Sequence, residues 1–185
     1  MNVVVLHGSA HVGGDTDTLI DAVLEGLDSG TKHNIVHFRP IDMNIAHCRA
    51  CGSCFSGRGC VIDDDMKQVY PAFSEADIVV LGAPMFWGYM TSQLKTLFDR
   101  LEAIVSQEHF GEKDFVLLVT YRSYYGSMVE WLQRITSWCG SRCHAVTCRT
   151  FDAETGRDVP IGGFPEKIRQ AQDIGRQIVR NREQT

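Results

Sequence analysis

Four cysteines, Cys48, Cys51, Cys54 and Cys60, fall within thirteen residues of the stretch HCRACGSCFSGRGC. Their spacing is C-x2-C-x2-C-x5-C. Gly52, Gly57 and Gly59 let the backbone turn tightly enough to aim several sulfurs at one point. Thiolates so placed suit a [4Fe-4S] cluster or a structural zinc. The last gap is longer than in the bacterial ferredoxin run, and Val61 follows the fourth cysteine where that run has Pro. Two other uses of the stretch stay open. It can be a glycine-rich excursion carrying reduced thiols or one labile disulfide. It can also support thiol redox chemistry, with His47, Arg49 and Arg58 lowering the thiol pKa values.

A second chemical signal lies at the N-terminus, MNVVVLHGSAHVGGDTDTL. Residues 3–6 form an apolar, β-branched run that reads as a strand buried on both faces. Gly8 and Ser9 stop it. Gly13, Gly14, Asp15 and Thr16 then lead into the helical pattern Leu19, Ile20, Val23, Leu24, Leu27. A strand, a glycine-containing loop and a helix start make a phosphate-binding arrangement, because free backbone N–H groups and the helix dipole both favour an anion there. Ser9 and Thr16 add hydroxyl donors. The stretch is neither a GxxxxGK[ST] loop nor a G-x-G-x-x-G fingerprint, and its loop has no Lys, which argues against a nucleoside triphosphate. As a plain turn it would need Asp15 or Thr16 as the helix N-cap.

The third signal is Gly82-Ala83-Pro84-Met85-Phe86-Trp87-Gly88-Tyr89-Met90. It follows the apolar run at residues 78–81, which reads as strand 3. The carboxyl ends of strands in an open parallel sheet are where ligands bind. Aromatic and sulfur groups delivered there, beside a phosphate loop, suit a planar ring with a phosphate tail.

The remaining chain supplies the frame. Residues 33–38 alternate and read as strand 2, after a break at Asp28, Ser29 and Gly30. Asp63, Asp64 and Asp65 read as an N-cap before the stripe Met66, Val69, Tyr70, Phe73. Thr91 or Ser92 caps a helix with Leu94, Leu97, Phe98 and Leu101 inward. Lys95 and the pair Asp99 and Arg100 on it are given no chemistry. Residues 115–120 are strand 4, whose C-terminal loop from Tyr121 to Gly126 joins the same crevice if strands 1, 3 and 4 are neighbours. A helix with Met128, Trp131, Leu132, Ile135 and Trp138 follows, then strand 5 at residues 143–148. Cys139, Cys143 and Cys148 read as buried small hydrophobes. The last helix runs from about Pro165 to Arg180, and its end, NREQT, should fray.

Strand and helix alternate five times, giving an α/β, doubly wound five-stranded parallel sheet in one domain over residues 1–185, with a Cys-rich insertion at 47–62 after strand 2. Loops after strands 1 and 3 fit the flavodoxin-like order 2-1-3-4-5, whose crevice lies between those strands. The 185 residues, 44% hydrophobic and 22% charged, are ordinary for a globular domain. A net charge of −5 argues against nucleic acid or an anionic membrane as partner. No apolar run approaches the roughly 20 residues of a membrane helix. The chain enters strand 1 at once, so no signal peptide is expected and the expected location is the cytoplasm.

The order and spacing of HGSAHVGGDTDTL, CRACGSCFSGRGCVIDDDM and GAPMFWGYMTSQLKTLFDRL resemble the flavodoxin-like, NAD(P)H-dependent FMN reductases, and within them the iron–sulfur flavoproteins of anaerobes. The resemblance covers most of the chain. It implies that Ser9, His11, Asp15 and Thr16 hold the FMN phosphate. It implies that Pro84, Met85, Phe86, Trp87 and Gly88 hold the ribityl chain and ring, and that Thr120 and Tyr121 make a third flavin contact. Cys48, Cys51, Cys54 and Cys60 match the family's compact cluster motif. The family usually has Pro then Arg after Gly-Ser, where this chain has Ala10 and His11. The implied function is an oxidoreductase passing electrons from NAD(P)H or another donor through FMN to a flavin, quinone or redox protein. A [4Fe-4S] relay goes with it, no side chain is catalytic, and the assembly is a homodimer or homotetramer. The alternatives are an electron carrier without NAD(P)H turnover and a zinc-stabilised α/β binding module.

Overall fold

The computed structural model describes residues 1–28, 32–105 and 107–184. Ser29 and Gly30, read above as a break, lie outside the described residues. The strands are β1 (Asn2–His7), β2 (Asn34–Phe38), β3 (Ile78–Pro84), β4 (Asp114–Tyr121) and β5 (Arg142–Arg149). They form one five-stranded sheet in the order β2-β1-β3-β4-β5. Every pairing is parallel, with Val4 opposite both Val36 and Val79. The buried runs VVVL, IVVL and FVLLV are the three central strands, as expected of strands covered on both faces.

The helices are α1 (Asp15–Leu27), α2 (Met66–Glu75), α3 (Ser92–Arg100), the short α4 (Gln107–Phe110), α5 (Met128–Cys139) and α6 (Pro165–Glu183). Leu19, Ile20, Val23, Ala171 and Ile178 of α1 and α6 bury against one face of the sheet. Val69, Phe73, Leu94, Leu97 and Leu132 of α2, α3 and α5 bury against the other. The stretch after β5 forms a hairpin of β6 (Phe151–Asp152) and β7 (Arg157–Asp158), then one 3-10 turn at Ile161–Gly163.

Two expectations fail on local chemistry, and a third is met by one residue of its run. The N-cap of α1 is Gly14, with no side-chain cap, and Asp15 instead accepts from the Ile161 N–H at 2.8 Å. The acidic run caps α2 through Asp64, whose Oδ1 accepts from the Met66 N–H at 3.1 Å, and not through Asp65, which has no side-chain cap bond. Asp64 is drawn inward by Arg100, from which it accepts two hydrogen bonds. The end of α6 does not fray at Arg182. Its guanidinium donates to Asp114 Oδ2 at 2.8 Å and to the Asp77 carbonyl at 2.8 Å.

Candidate functional site

The strand order reverses between β1 and β3, so the loops that leave their carboxyl ends part and open a crevice. The loop from β1 is fixed by its neighbours. The Gly8 N–H donates to the Gly82 carbonyl at 2.7 Å, and Thr91 donates from its hydroxyl to the Gly8 carbonyl at 2.8 Å. A Cβ on Gly8 would stand 2.6 Å from the Gly82 oxygen, so only glycine allows this approach. Ser9 braces the turn by accepting from the His11 N–H at 3.0 Å. Because α1 starts without a side-chain cap, its first-turn N–H groups remain available to an anion, beside the buried Thr16.

The aromatic stretch after β3 folds as a two-residue hairpin. Phe86 and Tyr89 exchange both backbone hydrogen bonds, at 2.9 and 3.1 Å. The central pair takes positive φ, 53° at Trp87 and 75° at Gly88, as a type I′ turn requires. Glycine adopts that region freely, whereas Trp87 is held there against its preference. The Trp87 side chain stands fully in solvent and Phe86 is 62% exposed. Burying such rings in the core would have stabilised the fold, so their exposure fits a surface that receives something.

Between loop and hairpin lies a cleft of about 530 Å³. It brings together Ser9, His11, Asp15, Thr16, Pro84, Met85, Phe86, Thr120 and Tyr121. Trp87 lines an adjoining cleft that shares Ser9, His11, Pro84 and Phe86. Gly88 lines neither and serves the turn, with Tyr124 packed over it. Arg122, Thr150 and Asp158 complete the wall, with Arg122 paired to Asp158 and stacked 5.4 Å from the Phe151 ring. Anion donors at one end and open aromatic faces at the other let the cleft receive a flat ring carrying a phosphate.

Sequence reasoning missed the group behind the loop. Asp17 accepts from the Gly13 N–H at 2.9 Å and from Arg39 at 2.7 Å. Arg39 also donates to the Ser9 carbonyl at 2.7 Å. His7 stands 2.8 Å from Asp17 and 3.0 Å from His37. Burial opposes the Asp17 charge, but His7, Gly13 and Arg39 outweigh it and hold its carboxyl below the ordinary value. Burial and the neighbouring His7 push His37 down. An Arg just past a strand at the sheet edge is the one signal that pointed here.

The four cysteines of the loop after β2 are free thiols, two exposed and two half-buried. Among the described residues, no three His, Cys, Asp or Glu side chains stand together as a ready metal site. The donor chemistry nonetheless fits an iron–sulfur group: four thiols on a glycine-bearing turn, with the buried Ser53 hydroxyl and Arg100 Nε beside them lacking partners. Gathering of ligands on metal binding is ordinary, because metal affinity and local folding are coupled. Burial raises the Cys60 thiol, but the Ile62 N–H, Tyr70 and Arg100 prevail and hold it below its usual value. Burial pushes Cys143 and Cys148 up, as inert structural thiols require.

The fold recurs in known structures. An FMN-dependent NADH-azoreductase from Bacillus anthracis, solved with FMN, superposes at TM-score 0.71 with 10% identity, over 96% of this chain and 99% of that one. A structure of RosB superposes at TM-score 0.73 with 15% identity, over 99% of this chain and 80% of that one. In sequence, the chain is 32% identical to an iron–sulfur flavoprotein of Methanosarcina thermophila over 141 residues, 75% of this chain and 72% of the relative. It is 42% identical to one from Methanocaldococcus jannaschii over 109 residues, 58% of this chain and 54% of that protein, so the match spans about half that relative's length. The family described as NADPH-dependent FMN reductase matches residues 1–151, most of the chain, and the protein belongs to that family.

Proposed function

We propose that this protein is an FMN-dependent oxidoreductase that takes electrons from NAD(P)H or another donor and passes them to a flavin, a quinone or a redox protein. One observation carries the reading: an uncapped helix start and an exposed aromatic hairpin face each other across one cleft at the sheet's switch point. Its volume is within the roughly 300–1,000 Å³ usual for small-ligand sites. Ser9, His11 and Thr16 hold the phosphate with the first-turn N–H groups of α1. Asp15 braces the site through Ile161. Pro84, Met85, Phe86, Trp87 and Gly88 hold the ribityl chain and ring, with Thr120 and Tyr121 as the third contact.

Bound FMN supplies the hydride and single-electron chemistry. The protein's task is to bind, orient and shield, and no side chain is needed as acid or base. Cys48, Cys51, Cys54 and Cys60 are the proposed ligands of a [4Fe-4S] cluster, which would supply one-electron transfer. Exposed Trp87, Phe86 and Trp138 favour a homo-oligomer with apolar rings covered between copies.

The test is an FMN titration of protein stripped of flavin, followed by steady-state oxidation of NADH and NADPH with a quinone or ferricyanide. Saturable FMN binding and turnover support the reading. FMN binding without turnover would leave an electron carrier, and failure to bind FMN would overturn the site.

A further inference from the structure

Helix α3 joins the two candidate sites through one rigid element. At its start Thr91 donates to the Gly8 carbonyl in the phosphate loop. At its end Arg100 reaches into the base of the cysteine loop. Its nine residues place those ends about 13 Å apart at 1.5 Å per residue.

Arg100 is 2% exposed, unusually deep for its type. Its Nη1 donates to the Ala46 carbonyl at 2.8 Å and to Asp64. Its Nη2 donates to Asp64 Oδ1 at 3.1 Å, to the Tyr70 hydroxyl at 3.4 Å and to Cys60 Sγ at 3.4 Å. Asp64 also accepts from the Ala46 N–H at 3.0 Å. One guanidinium thus ties the segment entering the cysteine loop to the segment leaving it. Among the described residues its buried Nε has no partner, and neither has the buried hydroxyl of Ser53, between Cys51 and Cys54. A buried polar group left unmatched is destabilising, so two of them beside four thiols call for further acceptors. Thiolate and sulfide sulfurs are acceptors of that kind.

Resting on the reading of the four cysteines as cluster ligands, we propose that Arg100 is a positioning residue that donates a charge-assisted hydrogen bond to the Cys60 sulfur and raises the cluster's reduction potential. Reduction adds one electron to a group whose thiolate ligands are already anionic. A fixed N–H aimed at a ligating sulfur stabilises the more negative state more than the less negative one. Asp64 offsets part of the guanidinium's charge while fixing its orientation, so the directed hydrogen bond remains the dominant influence. In this buried setting water does little to screen it.

The test uses full-length protein reconstituted with iron and sulfide without oxygen. Iron and sulfide content, FMN affinity and the cluster's midpoint potential are measured. Arg100→Lys keeps a cation opposite Asp64 and lacks the second arm that reaches Cys60. The double variant Arg100→Gln with Asp64→Asn removes both charges without stranding a buried carboxylate. Both are expected to retain iron and FMN affinity and to show a midpoint potential below that of the wild type. A wild-type potential in fully loaded variants would overturn the proposal. So would loss of iron from both variants with FMN retained, since Arg100 would then only hold the loop closed. Iron-free wild-type protein would fail the cluster reading itself, and that result is visible before any variant is made.

Discussion

The loop after β1 has no Lys or Arg of its own, and Arg39, just beyond β2, supplies the nearby cation. It donates to the Ser9 carbonyl and to Asp17, which in turn accepts from the Gly13 N–H, so one guanidinium fixes both arms of the loop. Arg39→Gln should weaken FMN binding about tenfold, in line with a charge-assisted hydrogen bond worth roughly 1.5–3 kcal/mol. An unchanged dissociation constant in an FMN titration would show that the loop holds without it. Thr16→Ala should cost on the order of 1–3 kcal/mol in the same titration by removing a hydroxyl donor to a charged phosphate. Unaltered affinity would remove Thr16 from the site. The cleft residues were legible because glycines, hydroxyls and aromatics cluster at strand ends, where an open sheet binds ligands. Arg39, Asp17 and Arg100 were not, because each works through partners at least 22 residues away, except the nearer pairs of Asp17 with Gly13 and His7. Nothing in single-sequence spacing marks such pairs.

Helices α1 and α6 meet through glycines. A Cβ on Gly26 would stand 2.1 Å from the Gln172 carbonyl oxygen, and one on Gly175 would stand 2.4 Å from that of Val23. Backbones this close leave no volume for a methyl group. Gly175→Ala should therefore destabilise the protein by about 1–3 kcal/mol, with a lower midpoint in denaturant unfolding. A gain in stability, as expected from helix propensity alone, would contradict the close crossing. Strands and long helices were legible from buried runs of four or five apolar residues and from the 3.6-residue stripe. Their ends were less so. The start of α1 gave up its side-chain cap to leave N–H groups open, and α6 outlasts its apolar stripe because Arg182 anchors it to Asp114 and Asp77. The short α4 and the β6–β7 hairpin carry too few residues to show a period.

The two ends of the sheet do different work. The carboxyl end holds the cleft, while Asp114 at the opposite end of β4 gathers Arg142, His144 and Arg182. Burial opposes the charge of Asp114, but these three donors prevail and hold its carboxyl well below the usual range. Asp17 and Asp64 are lowered for the same kind of reason. With folded-state pKa values depressed, the unfolded chain binds protons first as pH falls. Stability should begin to fall as pH drops below the ordinary His value, because the folded state resists protonation of His37, and should decline further through the ordinary carboxylate range toward the folded values. A denaturation midpoint that holds steady down to pH 3 would contradict this. Asp114→Asn should cost on the order of 1–3 kcal/mol by removing the buried carboxylate that accepts from Arg142 and Arg182, with FMN affinity unchanged in the folded protein. The central claim joins both candidate sites in one molecule, so the most direct measurement is a visible spectrum with iron and acid-labile sulfide analysis on protein purified without oxygen. The account predicts resolved flavin bands over a broad sulfur-to-iron shoulder, with about four irons per chain as a [4Fe-4S] site requires. A colourless protein that also fails to take up added FMN would contradict it.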